Sequence, residues 1–151
     1  MLRSRGIKFA LAAAVGLLLV SVLTAIAASN TVPATLLSDT AQGISLNQLK
    51  PPECAGITVT NLVVGSGGTI NGTGANDLIL GSGADETING QQGSDCIVGG
   101  GGNDRLNGGP GNDVILGGPG DDTIDGGGGS DVCYGGPGNN TFHNCQTIHN
   151  P

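Results

Sequence analysis

From Gly72 to His143 the chain divides without insertion into eight consecutive nine-residue units: GTGANDLIL, GSGADETIN, GQQGSDCIV, GGGGNDRLN, GGPGNDVIL, GGPGDDTID, GGGGSDVCY and GGPGNNTFH. The first position is Gly in all eight, and the sixth is acidic in seven, Asn140 being the exception. The eighth holds Ile79, Ile88, Ile97, Leu106, Ile115, Ile124, Cys133 and Phe142. A degenerate unit, VVGSGGTIN, precedes them, with Ile70 in the eighth position and no acid in the sixth. Self-similarity at a short fixed period is the mark of a solenoid. A flexible Gly-rich linker would not hold an acid and an apolar residue two places apart through so many units.

The period has a physical logic. Glycines at the first, second and fourth positions permit positive φ and a tight turn in which backbone carbonyls converge. The last three positions are β-prone and alternate out, in, out. A turn of six and a strand of three make half a coil, so two units close one coil of 18 residues. Units of equal parity then stack as two facing parallel sheets. Ile79, Ile97, Ile115 and Cys133 form one inward column, and Ile88, Leu106, Ile124 and Phe142 the other. The predicted class is all-β, a right-handed parallel β-roll.

That core is one side chain thick, and its apolar burial cannot by itself offset the entropy of ordering so Gly-rich a chain. Stacked acidic turns would also repel one another without a counter-ion. Calcium meets both needs. It is a hard cation that takes about 6–8 oxygens from carboxylates and carbonyls in flexible geometry, whereas magnesium demands a tight octahedron.

These units resemble the repeats-in-toxin (RTX) nonapeptide, Gly-Gly-x-Gly-x-Asp-x-aliphatic-x, a calcium-binding repeat. GGGGNDRLN, GGPGNDVIL and GGPGDDTID fit it at every position, and the first, second and eighth units are looser. The resemblance implies an ion held between turns 18 residues apart. Carried onto this chain, it pairs Asp77 with Asp95, Asp95 with Asp113, and Asp113 with Asp131 on one edge, and Asp104 with Asp122 on the other. Two weaker pairs involve Glu86, whose longer arm shifts the carboxylate, and Asn140, which leaves a neutral oxygen opposite Asp122. Backbone carbonyls of Gly72, Gly74, Gly90, Gly99, Gly101, Gly108, Gly117 and Gly126 complete the ligand set. The expectation is about four good Ca²⁺ sites and two weaker ones.

The outward seventh and ninth positions separate by parity. Odd units present Leu78, Leu80, Cys96, Val98, Val114, Leu116, Val132 and Tyr134, and even units Thr87, Asn89, Arg105, Asn107, Thr123, Asp125, Thr141 and His143. An apolar sheet face of that extent marks an interface. The preceding segment is expected to cover it, with residues 57–64 as a strand and Ile44, Leu46 and Leu49 alongside. A homodimer or a surface partner on the same face is the rival. Of the three ways to pair four cysteines, Cys54–Cys96 would tie the pre-repeat segment onto this face, and Cys133–Cys145 would cap the last coil.

Arg3, Arg5 and Lys8 precede an apolar run that ends in small residues around Ala25, Ala27 and Ala28, the pattern of a cleaved secretory signal. Phe9–Ala28 is also about long enough to serve as a retained anchor. Both readings send the rest of the chain out of the cytoplasm, secreted or anchored at the outer side of the membrane. The expected organisation is a signal at 1–28, a linker at 29–53, a capping strand and degenerate repeat at 54–71, the roll at 72–143, and a cap or tail at 144–151.

Beyond the first eight residues only Lys50 and Arg105 stand against all 12 acids, which argues against nucleic acid and anionic membranes as partners. DDTIDG (121–126) begins like an EF-hand loop, but its twelfth position is Val132 where Glu is required. His143 and His149 belong to no recognisable catalytic set. A Thr array for ice binding is interrupted by Arg105. The chain thus reads as an exported, non-enzymatic calcium-binding protein whose folding follows extracellular calcium. An adhesion or envelope module built on the same scaffold is the alternative.

Overall fold

The computed structural model describes residues 44–151; the leader expected at 1–28 and most of the 29–53 linker lie outside them. Among the described residues no helix is long and apolar enough to cross a membrane. The described chain is a parallel β-solenoid. Strands β1 (Asn61–Val64), β3 (Asp77–Leu80), β5 (Cys96–Val98), β7 (Val114–Leu116), β9 (Val132–Tyr134) and β11 (Thr147–His149) form a six-stranded sheet in that order. A five-stranded sheet runs β2 (Gly68–Asn71), β4 (Glu86–Asn89), β6 (Arg105–Pro110), β8 (Thr123–Gly128) and β10 (Thr141–His143). All pairings are parallel, and through the repeats partners lie one coil apart: Ile79 beside Ile97, Ile97 beside Ile115, Ile88 beside Leu106.

The expected inward columns are the core. Ile79, Ile88, Ile97, Ile115, Ile124 and Cys133 are fully buried, with Leu106 and Ile70 nearly so. Phe142 closes one end only half-buried, and Val63 and Cys145 pack against the same cluster. Val63 was not expected there. It pairs with Ile79 at an offset of 16 because the unit between Val63 and Ile70 is shortened to seven residues. The C-terminal segment 144–151 likewise contributes a strand: Ile148 pairs with Cys133, after a turn also shortened.

The apolar odd face is covered by the chain itself. Leu78, Cys96 and Val114 are buried against Cys54, Ile57 and Val59, with Leu46, Leu80, Leu116, Val132 and Tyr134 at the margins. The cover differs from the expected strand. Residues 61–64 join the edge of the sheet, while helix α1 (Leu46–Leu49), a 3-10 turn (Pro52–Cys54) and the extended Ile57–Val59 lie over it. Ser45 caps α1 through a reciprocal box with Gln48. The Asn47 amide pairs with both backbone groups of Val59, at 3.0 and 3.1 Å. The Lys50 ammonium donates to the carbonyls of Ala55 and Ile57. Cys54 is bonded to Cys96 beneath the cover, and Cys133 to Cys145 at the last coil. Among the described residues the middle of this face, at Leu78, Cys96 and Val114, is occupied from within.

Candidate metal centre

Two rows of side chains join successive turns, and they point in opposite directions. The sixth-position acids reach toward the N-terminal end. Oδ1 of Asp95, Asp113 and Asp131 accepts from the backbone N–H of Asp77, Asp95 and Asp113, at 2.8, 2.8 and 2.9 Å. On the other edge Asp104 and Asp122 accept from Glu86 and Asp104, at 2.8 and 2.9 Å. The fifth-position residues reach the other way. The side-chain oxygens of Asn76, Asp85, Ser94, Asn103, Asn112 and Asp121 accept from the N–H one coil later, at 2.7–3.2 Å. The sequence signal for this second row is a fifth position that is Asn, Asp or Ser in all eight units, which the spacing of the acids alone does not single out. Each is a short polar side chain suited to bonding a nearby backbone group.

The second carboxylate oxygens carry the chemistry. Asp77, Asp95, Asp113, Asp122 and Asp131 are at most 1% exposed, and Asp104 is 3%. Oδ2 of Asp95, Asp104, Asp113, Asp122 and Asp131 is buried without a hydrogen-bond partner. A buried ionised oxygen with nothing to balance it is among the most costly groups a protein can hold. Each lies inside its turn, beside the first-position glycine. A Cβ at Gly90 would meet Asp95 Oδ2 and the Gly108 carbonyl at 2.5 Å; at Gly99 it would meet Asp104 Oδ2 and the Gly117 carbonyl at 2.6 Å. The invariant glycine therefore keeps open a pocket between one carboxylate and the carbonyl of the next coil. Among the described residues no three His, Cys, Asp or Glu side chains gather at one point. The donor set is a single file of carboxylates among carbonyls, all oxygen, which fits a hard cation and no softer one.

Burial pushes Asp95 up to about 7; the hydrogen bond from Asp77 opposes this, and the charges of Asp113 and Asp77 add to it. Asp104 and Asp113 are raised to about 6, again chiefly by burial, against the backbone bonds from Glu86 and Asp95. Asp122 and Asp131 are raised for the same leading reason. Without a cation these acids are driven toward their neutral form.

The remaining residues expected to ligate differ in kind. Asp77 and Glu86 already have donors, from Thr73 and Ser82. Asn140 uses its oxygen for the N–H of Asp122 at 2.9 Å and turns its NH₂ to the Gly136 carbonyl, also at 2.9 Å. A donor thus stands where a ligating oxygen is needed. Gln146, which the period did not single out, ends the other edge by accepting from Asp131 N–H at 2.6 Å. Among the carbonyls, that of Gly72 receives the Gln91 side-chain amide at 2.8 Å, and that of Gly117 the Gly100 N–H at 3.0 Å. Gly74 and Gly101 occupy the third position, outside the pockets beneath the first-position glycines. Both histidines are exposed, His149 stacking on Tyr134 with ring centroids 4.5 Å apart.

A family model described as the RTX calcium-binding nonapeptide repeat matches in four copies, at residues 63–97, 80–115, 90–124 and 107–142. No curated protein and no solved structure matches the chain.

Proposed function

The chain belongs to the RTX calcium-binding nonapeptide repeat family, and from that premise we propose that its β-roll holds one Ca²⁺ at each of the five glycine turns whose acid lacks a partner. Those acids are Asp95, Asp104, Asp113, Asp122 and Asp131. The bound ion supplies positive charge to a stack of like-charged carboxylates. The carboxylates are already oriented, because the N–H of the preceding coil fixes Oδ1 and the first-position glycine leaves room beside Oδ2. Ligation then needs little rearrangement of the folded turn. In the unfolded chain the same acids lie 18 residues apart, so metal affinity becomes folding energy. Two disulfides favour an oxidising compartment. In such a compartment, outside the cell, millimolar calcium would keep the roll wound. We read the protein as an exported calcium-ordered scaffold with no catalysis of its own.

The carrying observation is the set of orphaned carboxylate oxygens. Isothermal calorimetry of the calcium-stripped protein should show saturable Ca²⁺ binding, with circular dichroism gaining β signal in step. A chain indifferent to Ca²⁺ in both measurements refutes the reading. Asp113→Asn separates the two oxygens of one acid. The variant keeps the acceptor for Asp95 N–H but places NH₂ where Oδ2 stood, as Asn140 does naturally. It should lose one ion and, at calcium 100-fold above Kd, about 2.7 kcal/mol of loaded stability. The stripped form should become more stable, since one buried carboxylate is gone. Denaturant titrations with and without calcium read both signs.

A further inference from the structure

The eight turns fall into two backbone classes, and the division coincides with the partnering of the acids. In the last six units the second and fourth positions are at positive φ: Gln91 and Gly93, Gly100 and Gly102, Gly109 and Gly111, Gly118 and Gly120, Gly127 and Gly129, Gly136 and Gly138. In the first two units those places hold Thr73 and Ala75, and Ser82 and Ala84, none of them at positive φ. A hydroxyl organises both of these turns. Thr73 Oγ1 accepts from Ala75 N–H at 3.2 Å and lies 3.0 and 3.1 Å from the two carboxylate oxygens of Asp77. The Thr73 N–H donates to Oδ2 of the same acid at 2.5 Å. Ser82 repeats the arrangement. It accepts from Ala84 N–H at 3.3 Å, its own N–H lies 3.1 Å from Glu86 Oε2, and its hydroxyl meets Oε1.

Thr73 and Ser82 thus give Asp77 and Glu86 two donors each, an N–H and an O–H. Charge-assisted bonds of this kind are the strongest neutral substitute for a cation at a buried carboxylate. The extra methylene of Glu86 fits the same logic. Its Oε2 still arrives beside Gly81, where a Cβ would stand 3.0 Å away, but it is turned into Ser82.

We infer that these two hydroxyl turns end the calcium row: Thr73 and Ser82 stand in for the ion at Asp77 and Glu86, and the first coil closes without metal. The inference rests on the calcium reading above. It makes the N-terminal coil, which contributes Leu78 to the covered cluster and donates the Asn76 side-chain amide to the Thr58 carbonyl at 3.1 Å, a preformed end against which the glycine turns wind as calcium arrives. The opposite ends are closed by the amides of Asn140 and Gln146, so side chains terminate both edges of the row.

Counting ions tests this. Native mass spectrometry of the full chain titrated with Ca²⁺ should saturate at five ions, one for each orphaned oxygen. The double variant Thr73→Gly with Ala75→Gly recreates a glycine turn over Asp77 and should saturate one ion higher. A wild type that takes six or seven ions, or a folded double variant that gains none, overturns the inference while leaving calcium binding intact. No binding at all removes the calcium reading, and this one with it. If the double variant does not fold, hydrogen exchange of the stripped wild type decides. Amides of 77–90 should stay more protected than those of 99–138; equal or reversed protection overturns the preformed end.

Discussion

Stripped of calcium at about pH 7.5, the protein should melt far below its loaded form, and lowering the pH to about 5 should narrow that gap. Both effects come from the same buried carboxylates. At about 2.7 kcal/mol per ion 100-fold above Kd, losing even two of five sites should lower Tm by roughly 20 °C in a domain of this size. The pH dependence of the stripped form follows from the direction of the shifts. Asp95 is raised to about 7 and Asp104 and Asp113 to about 6, so the folded chain holds protons that the unfolded chain releases near the ordinary value of 3.8. The stability they contribute is fully present below that ordinary value. It disappears as pH rises through about 6 to 7, where they must ionise in place. Protons therefore do for the stripped roll part of what calcium does for the loaded one. The loaded form has the opposite slope, because acid competes with the metal for the same oxygens. Melting curves at both pH values, on protein stripped over a chelating resin, give the four numbers. A stripped form no less stable at pH 7.5 than at pH 5 contradicts the assignment.

Gly118→Ala should be among the damaging single methyls in the roll. Gly118 has φ +106°, and a Cβ there would be driven into the Gly100 carbonyl of the coil below. Backbone strain at such a φ costs about 1–2 kcal/mol before any clash, and the atom met is backbone rather than the end of a flexible side chain. A total on the order of 3 kcal/mol or more is expected, with weaker calcium binding because the turn itself is displaced. Gly83→Ala is the matched control. That glycine is exposed, its φ is not positive, and nothing lies within 4 Å of an added Cβ. Its effect should stay within about 1 kcal/mol, because no contact is strained and the unfolded chain loses some freedom. Denaturant unfolding of both variants in saturating calcium measures the difference. Equal losses would mean that the glycines serve composition rather than geometry.

The parts of the molecule readable from sequence are those that repeat. A fixed interval of nine puts Ile79, Ile97 and Ile115 in one column and Ile88, Leu106 and Ile124 in the other, because periodicity alone decides which side chains face inward. The parity of the outward positions announced a covered face. What covers it was less legible, since α1 and the Ile57–Val59 stretch have no period and are held by individual contacts, such as the Asn47 amide on Val59. The shortened turns before Ile70 and Ile148 fall outside the interval, so Val63 and β11 went unforeseen. At the candidate site, the acids were visible as charges in register. Their division into partnered and orphaned oxygens depends on a residue four places earlier, Thr73 or Ser82 against glycine or Gln91, and therefore on hydrogen-bond geometry rather than on spacing.

The alternation of a covered sheet with a bare one limits how such a chain can change length. Excising a single nonapeptide would exchange greasy and hydrophilic exteriors for every strand downstream, bringing Thr123 or Thr141 under the lid and turning Val114 or Val132 to water. Excising two together leaves each surviving strand on its own side and merely shortens the rod by one storey. Duplication and loss in this architecture should accordingly proceed in steps of eighteen, with the bonded cysteines and the polar stoppers at each tip left in place.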